Sequence, residues 1–242
     1  PTPPARFGER FDEQVEALLE AAPPVFSFVF GCPSAAVLAE CRRRGIVTIG
    51  TATSIAEAQL LDAAGVDLVV ASGCEAGGHR PSFLAAAEDS LIGTMALTPL
   101  IVDRIRAPVI AAGGIADARG VRAALALGAG AAQIGTAFLA CAESAALPAH
   151  RELLFSERAQ HTTLTRAFTG RLARGISNRV TREMASRIHE LPPFPIQSWF
   201  MAQLRPAAIA AGDTELLSLW SGQIAPNLHH RTVSTLMAAL VQ

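Results

Sequence analysis

Lysine and tyrosine are missing altogether, and all 20 basic residues are arginine. Neither a Schiff-base lysine nor a tyrosine proton donor is available for chemistry. Cysteine is scarce. Cys32, Cys41, Cys74 and Cys141 are scattered and form no CxxC pair. That argues against a zinc site and against a disulfide framework in a chain of this size. Small buried thiols in a reducing compartment are expected, and no metal. A surplus of one charge is lacking too, since 21 acids face 20 bases. No global field therefore selects nucleic acid or a membrane surface as the partner. The opening PTPPARFGERFDEQ has no charged segment followed by an apolar one, and no run is long enough to span a bilayer. A soluble cytoplasmic protein is expected. The first residue is Pro1 rather than Met, so residues upstream are expected as well.

What is present is a repeat. With 242 residues, half of them apolar, the chain suits one large domain or a domain with an appendage. A short β-branched run, a turn with Gly or Ser, and an Ala/Leu-rich amphipathic stretch recur five times. The runs are Val25–Phe30, Val47–Thr51, Leu68–Ala71, Val109–Ala112 and Ala132–Gly135. They are continuously apolar, as expected of parallel strands buried on both faces. Helices are predicted over Ser34–Arg44, Ser54–Ala64, Gly93–Arg104 and Asp117–Leu127, with a weaker one after Glu143. Ser34 and Ser54 sit at N-cap positions, and Gly45, Gly65 and Gly128 just past helix ends. Alternation of strand and helix implies a parallel α/β sheet with right-handed crossovers. An open dinucleotide fold would carry GxGxxG after an early strand; here the Gly-rich turns follow the last two strands. That is the habit of a TIM-type (β/α)8 barrel. Five units are found, so the first strand–helix units are expected before Pro1. The barrel portion is assigned to residues 1–146. Residues 147–242, where strand signals fade and Pro becomes dense, are expected to be a mainly helical region covering it. Its arginines (Arg166, Arg171, Arg174, Arg179, Arg182 and Arg187) are read as a solvated or carboxylate-paired face, with an anion or acyl-carrier contact as the alternative.

Three segments could carry chemistry. The first is ASGCEAGGHR, Ala71–Arg80, directly after a strand. Gly77 and Gly78 let backbone approach a ligand closely, and His79 closes the loop on the catalytic face of a barrel. An imidazole titrates near neutrality, which suits proton abstraction. Glu75 is the alternative base. The second is VIAAGGIADARG, Val109–Gly120, where Ala112, Gly113 and Gly114 lead into a helix starting near Asp117. The backbone N–H groups of such a turn can cradle a phosphate. The third is AAQIGTAF, Ala132–Phe138, with Gln133, Gly135 and the hydroxyl of Thr136. Two Gly turns on consecutive units, about 20 residues apart, predict a phosphate site.

These segments, in this order, resemble the nitronate monooxygenase family, once called 2-nitropropane dioxygenases. The resemblance rests on EAGGH at Glu75–His79, AAGGIAD at Ala111–Asp117 and LGAGAAQIGTAFLACAES at Leu127–Ser144. FSFVFGCPS at Phe26–Ser34 and TRAFTGRLARG at Thr165–Gly175 add to it. The FMN-dependent enoyl-acyl-carrier-protein reductases share the pattern. The resemblance implies an FMN-dependent oxidoreductase whose flavin phosphate rests on Gly113, Gly114, Gly135 and Thr136. Ser72, Gly77, Gly78, Ala112 and Gln133 would complete the cofactor site, with Ser72 replacing an Asp or Gln common there. His79 matches the family's catalytic histidine. The implied reaction is oxidative denitrification of a nitronate or nitroalkane by O2. The alternatives are enoyl reduction with NAD(P)H, or a truncated barrel with neither flavin nor activity. A homodimer is compatible with the resemblance. Two departures stand out: the family's opening strand with its Ala-Pro-Met segment is absent, together with the two units after it, and Pro81 replaces a Gly.

Overall fold

The apolar runs of the first half become strands and the Ala/Leu-rich stretches between them become helices. The computed structural model describes residues 2–8 and 10–241. Its elements are α1 (Phe11–Ala21), β1 (Val25–Phe28), α2 (Ala35–Arg43), β2 (Val47–Ala52), α3 (Ile55–Ala63), β3 (Leu68–Ser72), β4 (Gly78–His79), α4 (Thr94–Val102) and β5 (Val109–Ala112). There follow α5 (Ala118–Ala126), β6 (Ala131–Gln133), α6 (Thr136–Leu139), α7 (Pro148–Leu154), β7 (Thr162–Thr165), β8 (Ala173–Ile176), α8 (Arg179–Met184), α9 (Ile196–Ala210) and α10 (Val233–Leu240).

Five strands form one parallel sheet in the order β1-β2-β3-β5-β6, each beside the next in sequence except where β4 intervenes. The register runs through Val25↔Val47, Ile49↔Leu68, Val69↔Val109 and Ile110↔Ala131. This is the α/β, TIM-barrel type of fold, with five of its strand–helix units in the described residues. The expected caps hold. The Ser34 and Ser54 hydroxyls accept the N–H groups of Val37 and Glu57, and Gly45, Gly65 and Gly128 all have positive φ.

Burial on both faces is found for β3 and β5, in the middle of the sheet. It is not found for β1 and β6, which are largely exposed. They are the outer strands of this sheet, with a neighbour on one side only, so an apolar run there does not imply full burial. Leu38, Leu61, Val69, Leu97, Ile101 and Val109 pack between the sheet and α2–α4. Leu61, Leu97 and Ile101 are wholly buried. Each such side chain stabilises the fold by roughly 1.5–3 kcal/mol.

Residues 147–242 are not helical throughout. β7 and β8 form an antiparallel hairpin, and β8 pairs in turn with β4 through Gly78↔Arg174 and His79↔Ala173. Short strands within a Thr- and Arg-rich stretch have no apolar alternation of their own, which is why sequence pattern misses them. The hairpin matters because it clamps the loop that carries His79. The Arg80 N–H continues the pairing to the Leu172 carbonyl at 2.8 Å.

Candidate active site

The C-terminal ends of the five parallel strands surround one cavity of about 460 Å³. β1 leads into Val29 and Phe30, and β2 contributes Thr51. Val70 and Ser72 come from β3, Ala112 to Ile115 from the end of β5, and Gln133, Gly135 and Thr136 from β6 and α6. Gly77, Gly78, His79 and Pro81 close one side, and Trp220, Gly222 and Ile224 another. His79 and the nine residues assigned from the sequence to the cofactor therefore line the same space. A strand-end cavity is where α/β barrels place their ligands.

The glycines do different jobs. Gly113 and Gly114 lie at φ 107° and 71°, where side chains are strained, and they turn the chain sharply at the end of β5. α5 begins only at Ala118, and its first turn is capped by Asp117, whose carboxylate accepts the Gly120 N–H at 3.1 Å. The Arg119 guanidinium beside it holds that carboxyl down to about 2. An anionic cap does not share a helix start with a phosphate. The Gly113–Gly114 turn is therefore a loop four residues ahead of the helix, not a helix N-terminus. At Gly135 an added Cβ would meet nothing within 4 Å, so this backbone borders open space. Thr136 Oγ1 accepts the Gly222 N–H at 3.0 Å, which leaves its own O–H free to donate. Gly77 meets protein rather than open space, since an added Cβ would lie 2.5 Å from the Gly222 nitrogen.

His79 stands between two aromatic walls, the Trp220 ring at 5.3 Å and the Phe30 ring at 6.2 Å between centroids. Its Nε2 lies 2.8 Å from Thr169 Oγ1. Burial pushes its pKa below the ordinary histidine value, and the nearby positive charge of Arg171 adds to the effect. The ring is thus neutral at neutral pH, as a base must be. Glu75 does not line the cavity. Its carboxylate accepts the Thr94 N–H at 2.9 Å and lies 2.9 Å from the Thr94 hydroxyl, so it caps α4.

The arginine-rich stretch divides. Arg166, Arg179, Arg182 and Arg187 pair with Glu88, Glu183, Glu215 and Glu190. Arg174 is buried and donates to the Cys74 carbonyl at 2.9 Å. Arg171 lies between two rings instead, 3.9 Å from the Phe30 centroid and 4.2 Å from that of Phe194. Arg80, also buried, donates to the carbonyls of Ser72, Gly73 and Ser90 and so fixes the loop from β3 to α4. The four cysteines are free; Cys41 and Cys141 are buried, while Cys32 and Cys74 are only partly so. Among the described residues no helix is long and apolar enough to cross a membrane.

Sequence pattern did not find Phe30, Thr169, Arg171, Trp220 or Gly222 as site residues. Phe30 and the Thr169–Arg171 turn lie inside the quoted FSFVFGCPS and TRAFTGRLARG segments, so the signal was there without a role. Trp220–Gly222 carries only a faint one, a rare Trp two residues before a Gly.

The nitronate monooxygenase family model matches residues 4–242. The Probable nitronate monooxygenase of Staphylococcus aureus (strain Newman) is 40% identical over 234 residues, which are 96% of this chain and 66% of that protein. That of strain MSSA476 is 43% identical over 216 residues, 89% of this chain and 61% of the relative. This chain thus spans less than two thirds of the length of these relatives. Among solved structures, a nitroalkane oxidase from Streptomyces ansochromogenes superposes with a TM-score of 0.90 at 40% identity, covering 96% of this chain and 67% of the other. FabK from Thermotoga maritima gives a TM-score of 0.79 at 32% identity, covering 95% and 70%.

Proposed function

Since this chain belongs to the nitronate monooxygenase family, we propose that it carries the active site of an FMN-dependent oxidoreductase that oxidises nitronates or nitroalkanes with O2. One observation supports this above the others. The two Gly turns and His79, from three separate segments of fold, face a single cavity.

The residues present fit the flavin. A phosphate needs close backbone and hydroxyl donors, and the open side of Gly135 and the free O–H of Thr136 offer both. The left-handed Gly113–Gly114 turn would supply a second backbone edge. Ser72, Gly77, Gly78, Ala112 and Gln133 line the remainder of the cavity and would hold the rest of the cofactor. Bound there, FMN would supply the redox chemistry, taking electrons from the nitronate and passing them to O2. The protein's own part is binding and proton transfer. His79, neutral and walled by Phe30 and Trp220, takes the acidic α-proton of a neutral nitroalkane. The apolar walls accept an alkyl group and keep water from the ring. An anionic nitronate has already lost that proton and needs no base.

The test is the flavin itself. The protein purified as its cell makes it should be yellow, and acid extraction followed by chromatography should release FMN. FAD as the main flavin would contradict the proposal, as would a colourless protein that gains no absorbance with added FMN. Enoyl reduction is the weaker reading, because FabK is the more distant of the two neighbours. Bleaching of the flavin by NADPH with an enoyl thioester would favour it, and bleaching by a nitronate the first.

A further inference from the structure

The Thr169 hydroxyl has three neighbours, and their chemistry decides which way its hydrogen points. Thr169 lies in the turn between β7 and β8, and its Oγ1 is 2.8 Å from His79 Nε2. The Arg171 N–H approaches the same oxygen at 3.3 Å, and the Arg171 carbonyl oxygen also lies 3.3 Å away. A hydroxyl has one hydrogen to donate and two lone pairs to accept with. The Arg171 N–H can only donate, so it takes one lone pair. The Arg171 carbonyl can only accept, and a hydroxyl hydrogen directed at it is directed away from His79. With the hydrogen on that carbonyl, the second lone pair faces His79, and a ring nitrogen that donates to it carries a proton.

We propose that Thr169 is a positioning residue that fixes His79 in the Nε2–H tautomer and leaves Nδ1 as the atom that receives the substrate proton. The opposite tautomer would put the hydrogen on Nδ1. Among the described residues no hydrogen-bond partner is found for that atom, and the walls beside the ring, Phe30 and Trp220, offer no acceptor through their side chains. A polar hydrogen facing aromatic walls is the costlier arrangement. The inference rests on the reading of His79 as the base. In the step it serves, the C–H bond α to the nitro group breaks. Its electron pair moves into the nitro group to give the nitronate, and the proton goes to Nδ1. The resulting imidazolium keeps its Nε2–H on Thr169, so the ring does not turn during the transfer. The β4–β8 pairing supports this arrangement. Gly78↔Arg174 and His79↔Ala173 hold the two loops at one spacing, so that residues 90 positions apart meet.

The test is the tautomer. In protein labelled with 15N-histidine, long-range nitrogen–proton correlation reads each ring nitrogen as protonated or not, and His79→Asn identifies the signals of residue 79. The expected result is a protonated Nε2 and an unprotonated Nδ1. The reverse assignment would overturn the proposal. Thr169→Val removes the hydroxyl and should give a mixture of tautomers. In the active enzyme it should also lower the ratio of nitroalkane to nitronate turnover about tenfold, short of the roughly 10²–10⁴-fold worth of a positioned base. Thr169→Ser should restore both. An unchanged tautomer in Thr169→Val would also overturn it, and if that variant does not fold, the wild-type assignment still decides. Should His79→Asn spare nitroalkane turnover while the Nε2–H tautomer is observed, the reading of His79 as the base fails and the role of Thr169 in setting the tautomer stands.

Discussion

Gly77 and Gly222 touch backbone to backbone: a Cβ built on Gly77 would lie 2.5 Å from the Gly222 nitrogen and 2.6 Å from the Ser221 carbonyl carbon. This contact seats the Trp220–Gly222 segment against the loop before His79. Two further bonds hold it, the Gly222 N–H on Thr136 Oγ1 and the Gln223 N–H on the Glu75 carbonyl, each at 3.0 Å. Gly77→Ala should therefore displace the wall that carries Trp220. We expect a loss of about 1–3 kcal/mol of stability from overpacking, together with weakened flavin binding. Gly78→Ala is the control, because a Cβ there meets nothing within 4 Å and the substitution meets only the strain of φ 79°. It should cost about 1 kcal/mol. Chemical denaturation of both variants checks the order, and an equal or smaller loss for Gly77→Ala would contradict it.

Gly135 is the reverse case. Its φ of −106° suits any residue and its open side faces no protein atom within 4 Å. Gly135→Asp should fold with unchanged thermal stability. Its carboxylate would stand where a phosphate is proposed, and like charges at that range repel strongly. We expect flavin titration to show at least a 100-fold loss of FMN affinity, about 3 kcal/mol. A variant that stays yellow would remove the phosphate from this turn.

Much of this was legible in the sequence, for reasons that differ by residue. Periodic apolar runs and capping residues mark the five parallel units, because burial and orphan backbone groups act locally. Gly113, Gly114 and His79 stand out because turns and loop ends carry their own residue signature. β4, β7 and β8 do not: the β7–β8 hairpin has no apolar alternation, and β4 meets β8 only across some 90 residues, which leaves no local pattern. Thr169 and Trp220 reach the site only through that pairing and through the packing of Gly77 on Gly222. Glu75 misled for a related reason. A carboxylate beside a Gly loop looks like a base until the fold shows Thr94 beneath it.

Two histidines give the fold a pH dependence. Burial lowers the pKa of both His79 and His150, while a hydrogen bond from His150 Nε2 to the Trp220 carbonyl at 3.0 Å works weakly the other way. In the unfolded chain both would titrate near 6.5. The folded state thus binds protons less readily than the unfolded one. Stability is full above pH about 6.5 and falls as pH drops from there toward the folded values. Glu40 and Asp117, held down to about 2, contribute their loss only below about pH 4.5. Melting temperatures should therefore fall between pH 7 and pH 5, and His150→Gln should show a smaller fall. A rise on acidification would contradict the sign.

Arg171 affects His79 through charge. Its guanidinium, between the Phe30 and Phe194 rings, lowers the His79 pKa in addition to the larger effect of burial. Arg171→Gln should raise the His79 pKa while leaving it below the ordinary value. An NMR titration of the ring reads the shift directly, and an unchanged or lower value would show that the charge is screened from the imidazole.

Proton transfer by His79, as proposed, is read by one variant assayed on two substrates. His79→Asn, in the protein as its cell makes it, is compared with the wild type at one pH on a neutral nitroalkane and on its nitronate. Flavin binding and nitronate oxidation should largely survive, while nitroalkane turnover should fall by roughly 10²–10⁴-fold. Equal losses on both substrates, or no loss on either, would contradict it.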